Sequence, residues 1–170
     1  MTMPARKRAA GDSIEVEAFL ADSIVSPDGK LYTQGAGWNV INTLMLPFRQ
    51  ARLGVGAILR VPYQLATSEA HLFEIRLEDE DGHEVAMADA PPGTSTPDGK
   101  IRRVGGQFTV GRPPGLAPGD EQLVPIALNV DGLEFKQKGV FRFVISIDGV
   151  DRKYLRFRIN HVVQPGVTVS

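Results

Sequence analysis

Apolar and polar side chains alternate with a period of two along much of the chain, and the alternation is clearest between residues 139 and 161. In the first half of this stretch the apolar positions are Phe141, Phe143, Ile145 and Ile147, and in the second half they are Leu155, Phe157 and Ile159. Successive side chains of a strand point to opposite faces of a sheet. The pattern therefore predicts a closing hairpin with one wall against a core and the other facing water.

The same alternation constrains how the two strands of this hairpin pair. A turn made of Asp148 and Gly149 alone would set Phe141 opposite Arg156 and split the apolar wall, because a one-residue slip flips every side chain. We therefore predict a loop of odd length. A three-residue loop starting at Asp148, with Gly149 in the left-handed conformation and a bulge beside it, pairs Phe141 with Phe157. A five-residue loop, which shifts the pairing by two residues, is the alternative.

Short apolar runs separated by turn residues occupy the rest of the chain. The 18 glycines and 12 prolines punctuate these runs, and five Asp-Gly pairs, at 28, 81, 98, 131 and 148, are typical of tight turns. Strands are predicted at 14–20, 31–34, 52–61, 71–78, 84–88, 101–110 and 122–130, and residues 38–46 form either a short strand or one helical turn. The fold class predicted is all-β: an antiparallel β-sandwich of about eight or nine strands, immunoglobulin-like or C2-like in outline.

Three local features add detail to this fold. Gly54 and Gly56 lie on the polar side of their strand, which indicates a close backbone approach or a covering segment. Pro125 cannot donate to a neighbouring strand, so its strand belongs at an edge or beside a bulge. The strand at 101–110 is predicted to break near Gly105 and Gly106.

Composition and charge narrow the classes of protein that fit. A net charge of −1 and a pI near 6.3 argue against a general binder of nucleic acids or membrane surfaces. The sequence has no cysteine, which fits a reducing cytoplasm, and no window approaches the ~18 apolar residues of a spanning helix. We expect a cytoplasmic domain at 13–163, a disordered or extended basic leader at 1–12 and a tail at 164–170.

Residue patterns that carry catalysis or metal binding are weak in this sequence. The three histidines are isolated, and the acidic run at 78–82 lacks the ligand spacing of a calcium loop, so a solvated hairpin tip is the simpler interpretation. Neither a phosphate-binding loop nor a nucleophile elbow is complete. We expect no metal, no cofactor and no catalytic activity; a hydrolase with a site built from distant loops is the remote alternative.

Two features are candidates for partner binding. In either register of the closing hairpin Arg142 faces another arginine, Arg156 or Arg158, and like charges opposite each other are destabilising. Either a carboxylate row on a neighbouring strand or an acidic partner must offset them, and the sharper hypothesis is that the three arginines form a docking surface. Trp38, the single tryptophan, is expected to be a packing anchor, with stacking on a sugar or a partner side chain as the alternative.

Several segments, taken in order, resemble an uncharacterised bacterial family of small all-β proteins. They are Asp28 to Tyr32, Gly35 to Asn39, Phe73 to Asp79, Gly111 to Gly115, Val124 to Val130, and the closing hairpin with its Asp148-Gly149 turn. The resemblance implies a cytoplasmic β-sandwich and carries no known activity or site residues.

The sequence as a whole predicts a non-catalytic binding or assembly module for an unidentified protein partner. One alternative is a subunit of a larger assembly, such as a phage-related particle, that pairs through an edge strand. Another is a sandwich domain that binds a glycan, a lipid or calcium. Neither the partner nor the oligomeric state follows from the sequence.

Overall fold

The computed structural model describes residues 13–163, so the predicted leader and tail lie outside the described residues. Thirteen strands occupy this part of the chain: β1 (Glu15–Ala21), β2 (Ser23–Val25), β3 (Tyr32–Gln34), β4 (Val40–Thr43), β5 (Phe48–Pro62), β6 (Ala70–Glu78), β7 (Glu84–Val85), β8 (Ala88–Asp89), β9 (Lys100–Ile101), β10 (Arg103–Thr109), β11 (Glu121–Phe135), β12 (Gly139–Ile147) and β13 (Val150–His161). The only helical segments in the described part are two short 3₁₀ turns, at Pro27–Gly29 and Tyr63–Leu65.

Two sheets enclose the core, which confirms the predicted all-β sandwich. The smaller sheet has the order β1-β5-β11, and the six-stranded sheet has the order β10-β6-β12-β13-β4 with β7 beside β6. Hairpins β2-β3 and β8-β9 form two further small sheets. Strand β4 settles the choice left open at 38–46, and its pairing with β13 is parallel, unlike the other pairings in the described residues.

The closing hairpin pairs Phe141 with Phe157, as predicted for the shorter loop. The loop itself was predicted wrongly, because it contains only Asp148 and Gly149, both left-handed with φ of 52° and 75°. A bulge at Arg152 supplies the odd residue further along the strand, between the pairs of Ile145 and Ser146. The bulge thus restores the aromatic face that a two-residue turn alone would split.

Aromatic rings from both sheets meet in one cluster at the centre of the sandwich. Phe157 is 1% exposed and lies 5.8 to 5.9 Å, between ring centroids, from Phe135, Phe141 and Phe143. Trp38 approaches the same ring edge-on at 6.5 Å. Such pairs add to the free energy gained by burying the apolar surface, at about 0.5–1.5 kcal/mol each.

Strands β5 and β11 are longer than predicted, because the Asp131-Gly132 pair lies inside β11 rather than in a turn. Gly132 has a φ of 68°, and beyond it Leu133 and Phe135 become the buried side chains. The positions that face the core therefore change at the glycine, and the strand continues over the end of the core. Pro125 lies on β11, an edge strand of the smaller sheet, as its missing N–H group predicted.

The covering segment predicted over Gly54 and Gly56 is β2. The δ-methyl of Ile24 and the ring of Phe19 lie 2.9 and 2.7 Å from the position of a Cβ on Gly56, so only glycine leaves room for them. Asn129 on β11 holds the segment in place through the backbone of Ile24. The outer face of the smaller sheet is thus partly closed by the chain itself.

The predicted break at Gly105 and Gly106 is wrong, since β10 runs through both glycines and pairs continuously with β6. A Cβ on Gly105 would lie 2.1 Å from the carbonyl oxygen of Phe73. The glycine therefore allows close approach of two strands and does not interrupt the pairing.

Candidate functional site

Ion pairs cover the outer face of the six-stranded sheet along strands β6, β10 and β12. Arg76 donates to Asp151 at 2.9 Å through both terminal nitrogens and to Glu78 at 2.7 Å through Nε. The hydrogen bond with Arg76 holds the pKa of the Asp151 carboxyl below its usual value despite some burial. Arg103 bridges Glu74 and Glu84 in the same way. Charges on this part of the face are satisfied within the chain.

Arg142 belongs to this neutralised network. It lies between Glu78 of β6 and Arg156 of β13 in one row across the sheet. Its Nε and terminal nitrogen both lie 2.7 Å from Glu78, whose side chain is only 8% exposed. The Arg142 guanidinium also lies 5.4 Å from the ring centroid of Tyr154. The repulsion expected from facing arginines is therefore offset on the Arg142 side by a neighbouring carboxylate.

Arg156 and Arg158 differ from Arg142 because neither has a carboxylate within ion-pair distance among the described residues. Both side chains are exposed on the outer face of β13. The facing residue on β12 is Arg142 for Arg156 and Val140 for Arg158. Strand β4 pairs only from Arg158 onward and offers Val40 there. The pair of arginines is thus a local positive patch on an otherwise balanced face.

Trp38 lies on the other side of the sheet from this patch. Its ring packs on Phe157, which points into the core, and the side chain is only partly buried. The indole N–H group is shielded from solvent and has no hydrogen-bond acceptor in the described structure. This contact is the one expected of a packing anchor, and the structure does not bring the Trp38 side chain together with the arginines.

A cleft of about 670 Å³ opens at one end of the sandwich, between the β7–β9 segment and the connection from β11 to β12. Val85, Met87, Phe135 and Phe141 supply apolar lining. Charged residues of both signs surround this lining: Arg49, Lys100, Arg102, Lys136, Asp79, Asp89, Asp98 and Glu134. An apolar floor with convergent polar groups is typical of a binding site.

Half of the charges around the cleft are paired with each other. Lys100 lies 2.5 Å from Asp89, and Arg102 lies 2.6 Å from Asp98. Hydrogen bonding to Lys100 lowers the pKa of the Asp89 carboxyl. Of the remaining charges, Glu134 faces Arg49 across β11 and β5, so the two are close in space. Lys136 is exposed and has no carboxylate within ion-pair distance in the described part. The cleft therefore has an unpaired positive charge at its β11–β12 end.

A second depression of about 330 Å³ adjoins the cleft and reaches the arginines. It shares Asp79 and Phe141 with the cleft, and Arg142 and Arg156 line its other side. Asp79, Glu80 and Asp81, from the β6–β7 turn, line it as well. Sequence reasoning missed both depressions, because their walls come from segments far apart in the chain.

The acidic turn itself is organised by its own backbone. Oδ1 of Asp79 accepts the N–H groups of Asp81 and His83 at 3.0 and 2.8 Å. Partial burial opposes ionisation of Asp79, but these hydrogen bonds and the nearby imidazole leave its pKa below the usual value. Ligand atoms of Asp79, Asp81 and His83 lie within 4.8 Å of one another. Calcium takes six to eight oxygen ligands, more than this group offers, so a hairpin tip remains the simpler interpretation.

His71 joins the start of β6 to the closing hairpin. Its Nδ1 lies 2.8 Å from Oδ2 of Asp148, while Oδ1 of the same carboxylate accepts the N–H group of Leu72 at 2.9 Å. The imidazole also lies beside the ring of Phe108, with 5.4 Å between centroids. This histidine and aspartate therefore act as a structural clamp at the hairpin tip.

None of the helical segments in the described part is long and apolar enough to cross a membrane. Comparison with curated proteins gives no match. Among solved structures, a β-glucosidase from Listeria innocua in complex with glucose has a TM-score of 0.40 and 12% identity, and the match covers 89% of this chain and 17% of that one. The alkylpurine DNA glycosylase AlkC of Pseudomonas fluorescens, bound to DNA containing an abasic site analog, has a TM-score of 0.39 and 9% identity.

The glycosylase match covers 86% of this chain and 30% of the glycosylase, so the chain spans less than a third of either enzyme. At these scores neither likeness bears on function. A family model, in contrast, matches residues 17–160, nearly the whole sandwich. It confirms the resemblance to an uncharacterised family that the sequence segments, taken in order, indicated. The chain belongs to DUF6941, a family of unknown function.

Proposed function

We propose that this protein is a non-catalytic binding module that docks an acidic segment of a partner protein on Arg156 and Arg158. The observation that carries the proposal is the contrast within one sheet face. Arg76, Arg103 and Arg142 are each held by carboxylates, whereas Arg156 and Arg158 are exposed and unpaired among the described residues. Charges left unpaired beside apolar surface are positioned to steer an oppositely charged partner.

Exposed side chains beside the arginines suit a protein partner. Tyr154 on the same strand is 52% exposed, and Val40, which lies on β4 opposite Arg158, is 44% exposed. Tyrosine and arginine are enriched among the residues that dominate protein interfaces. Together these side chains offer a positive patch with an aromatic and an aliphatic contact. The cysteine-free composition supports a reducing compartment, and we place the partner in the cytoplasm.

The proposal is tested by single charge reversals compared with a matched control. Arg156→Glu and Arg158→Glu each change the net charge as Lys30→Glu does, and Lys30 is exposed in the β2–β3 turn, away from the patch. Tagged variants would be used to capture proteins from the native cell lysate, with quantification by mass spectrometry. We expect one partner to be captured by the wild type and by Lys30→Glu, with about a tenfold loss for each arginine variant, because a repulsive charge replaces an attractive one.

Folding does not confound this comparison. Arg156 faces Arg142, so a glutamate at position 156 removes a like-charge pair and creates an attractive one. Thermal unfolding of Arg156→Glu should therefore match or slightly exceed that of the wild type. Equal capture by all variants, or no partner captured by the wild type, would overturn the proposal.

A further inference from the structure

We infer that the cleft and the adjoining depression act as one groove for an extended segment with acidic residues at its ends and a basic residue between them. This inference rests on the proposed function, since it extends the arginine patch into a longer site. The two depressions are continuous: they share Asp79 and Phe141, and the smaller one reaches Arg156. A segment lying in one is therefore led into the other.

Side chains of opposite charge follow one another along the groove. Arg156 lines the smaller depression at one end, and Arg158 lies two residues further along β13. Lys136 lines the cleft at the other end, where Glu134 and Arg49 face each other across β11 and β5. Arg156, Arg158 and Lys136 are exposed and without ion-pair partners in the described residues. Between them the turn residues Glu80 and Asp81 line the smaller depression. The charge of the unpaired groups thus changes along the groove from positive to negative and back to positive. Charge complementarity assigns the opposite order to its occupant.

The pairing of the strands gives the distance between these charges. Glu80 lies beside Val140, with its Oε2 3.4 Å from the Val140 amide nitrogen, and Val140 faces Arg158. Two strand spacings therefore separate the acidic turn from β13, a distance of about 10 Å. With the cleft added, the groove is on the order of 20 Å long, the length of about six extended residues. An extended peptide fits this groove better than a compact small molecule does.

The test uses two fluorescein-labelled peptides of about eight residues, a length that spans the groove at ~3.3 Å per residue. They have the same composition of glutamate, lysine, valine and threonine. One has a glutamate at each end and two lysines in the centre, and the other has a lysine at each end and two glutamates in the centre. Fluorescence anisotropy at low ionic strength gives the affinity of each for the full chain and its variants. We expect the acid-ended peptide to bind at least about fivefold more tightly than its reversed counterpart.

Two variants separate this inference from the proposed function. Lys136→Glu changes the far end of the groove, Arg156→Glu changes the near end, and Lys30→Glu is the control with the same charge change. Both groove variants should remove the preference for the acid-ended peptide, each with about a fivefold loss of its affinity, and the control should leave it unchanged. Circular dichroism of each variant establishes that the sandwich is folded.

The outcomes are distinguishable. Loss at Arg156→Glu with none at Lys136→Glu, or equal affinity for the two peptides, would overturn the groove and leave the arginine patch as the site. No effect of Arg156→Glu on either peptide would overturn the proposed function and the groove together. Equal losses at all three positions would identify non-specific attraction and would likewise refute the groove.

Discussion

The side chain of Asn129 forms two hydrogen bonds with the backbone of Ile24 in β2, as a neighbouring strand would. Its Oδ1 accepts the N–H group of Ile24 at 3.0 Å, and its Nδ2 donates to the carbonyl oxygen of Ile24 at 2.7 Å. Ile24 is 1% exposed, wedged against Gly54 and Gly56 of the smaller sheet. Replacing Asn129 by alanine would leave a buried backbone donor and a buried backbone acceptor without partners.

The expected loss follows from these two groups. An unsatisfied buried backbone group costs about 1–2 kcal/mol, because water cannot replace the missing partner. Asn129→Ala should therefore lower the free energy of unfolding by about 2–4 kcal/mol. A matched control is Asn160→Ala, because Asn160 makes an exposed side-chain hydrogen bond to Asn42 at 3.1 Å. Its loss should cost about 0.5 kcal/mol or less.

Equilibrium urea unfolding of both variants measures this difference, and hydrogen exchange locates it. Exchange of the Ile24 amide should accelerate strongly in Asn129→Ala and remain slow in Asn160→Ala, since only the first frees β2 from the sheet. If the two variants lose similar stability, or if the Ile24 amide stays protected in Asn129→Ala, the segment is held by apolar packing alone and the reasoning is wrong.

Three further predictions concern the sheets and the core. Gly105→Ala should lower the free energy of unfolding by about 2 kcal/mol or more, because its Cβ would lie 2.1 Å from a backbone oxygen of β6. Gly106→Ala has open space at its Cβ and should stay within about 1 kcal/mol of the wild type when both variants are unfolded in urea. Asp151→Asn should lower the free energy of unfolding by about 1 kcal/mol near pH 7. The hydrogen bond to Arg76 lowers the pKa of Asp151, so the stabilisation by its carboxylate is lost on protonation and the difference between variant and wild type should shrink as the pH falls below about 4. A pH-independent difference would contradict this. Phe157→Ala should cost about 3–5 kcal/mol and shift tryptophan emission to longer wavelength, and unchanged emission would show that the ring does not shield the tryptophan.

The closing hairpin shows how far a sequence can constrain a structure. Its register was predictable to within two residues, because only pairings of odd-numbered with odd-numbered positions keep the apolar face whole, and the structure has the one that pairs Phe141 with Phe157. The turn was predicted wrongly, because Asp148 and Gly149 both adopt left-handed φ and the extra residue sits at Arg152 instead. Burial fixes which face of each strand lies inward, but it does not fix where along the strand the chain accommodates an extra residue.

Glycine was the least predictable residue, since its meaning depends on what approaches it. The Asp131-Gly132 pair resembles the turn at Asp148, yet it lies within a 15-residue strand. Gly105, expected to break its strand, instead allows that strand to pair closely with β6. A missing Cβ serves a turn, a change of the positions that face the core or a close approach equally well, and only the neighbouring strand, distant in sequence, decides among them.

The group formed by Arg142, Arg156 and Arg158 was found from the sequence, because it follows from the register of a single hairpin. Its division into paired and unpaired members was not predictable, because it depends on the strands at either side. Strand β6 brings Glu78 to Arg142, whereas β4 is short, parallel to β13 and pairs only from Arg158 onward. The described strands therefore bring no carboxylate within ion-pair distance of Arg156 or Arg158. The topology of the sheet leaves this positive charge unneutralised, and for this reason the proposed docking role is assigned to β13 and not to β12.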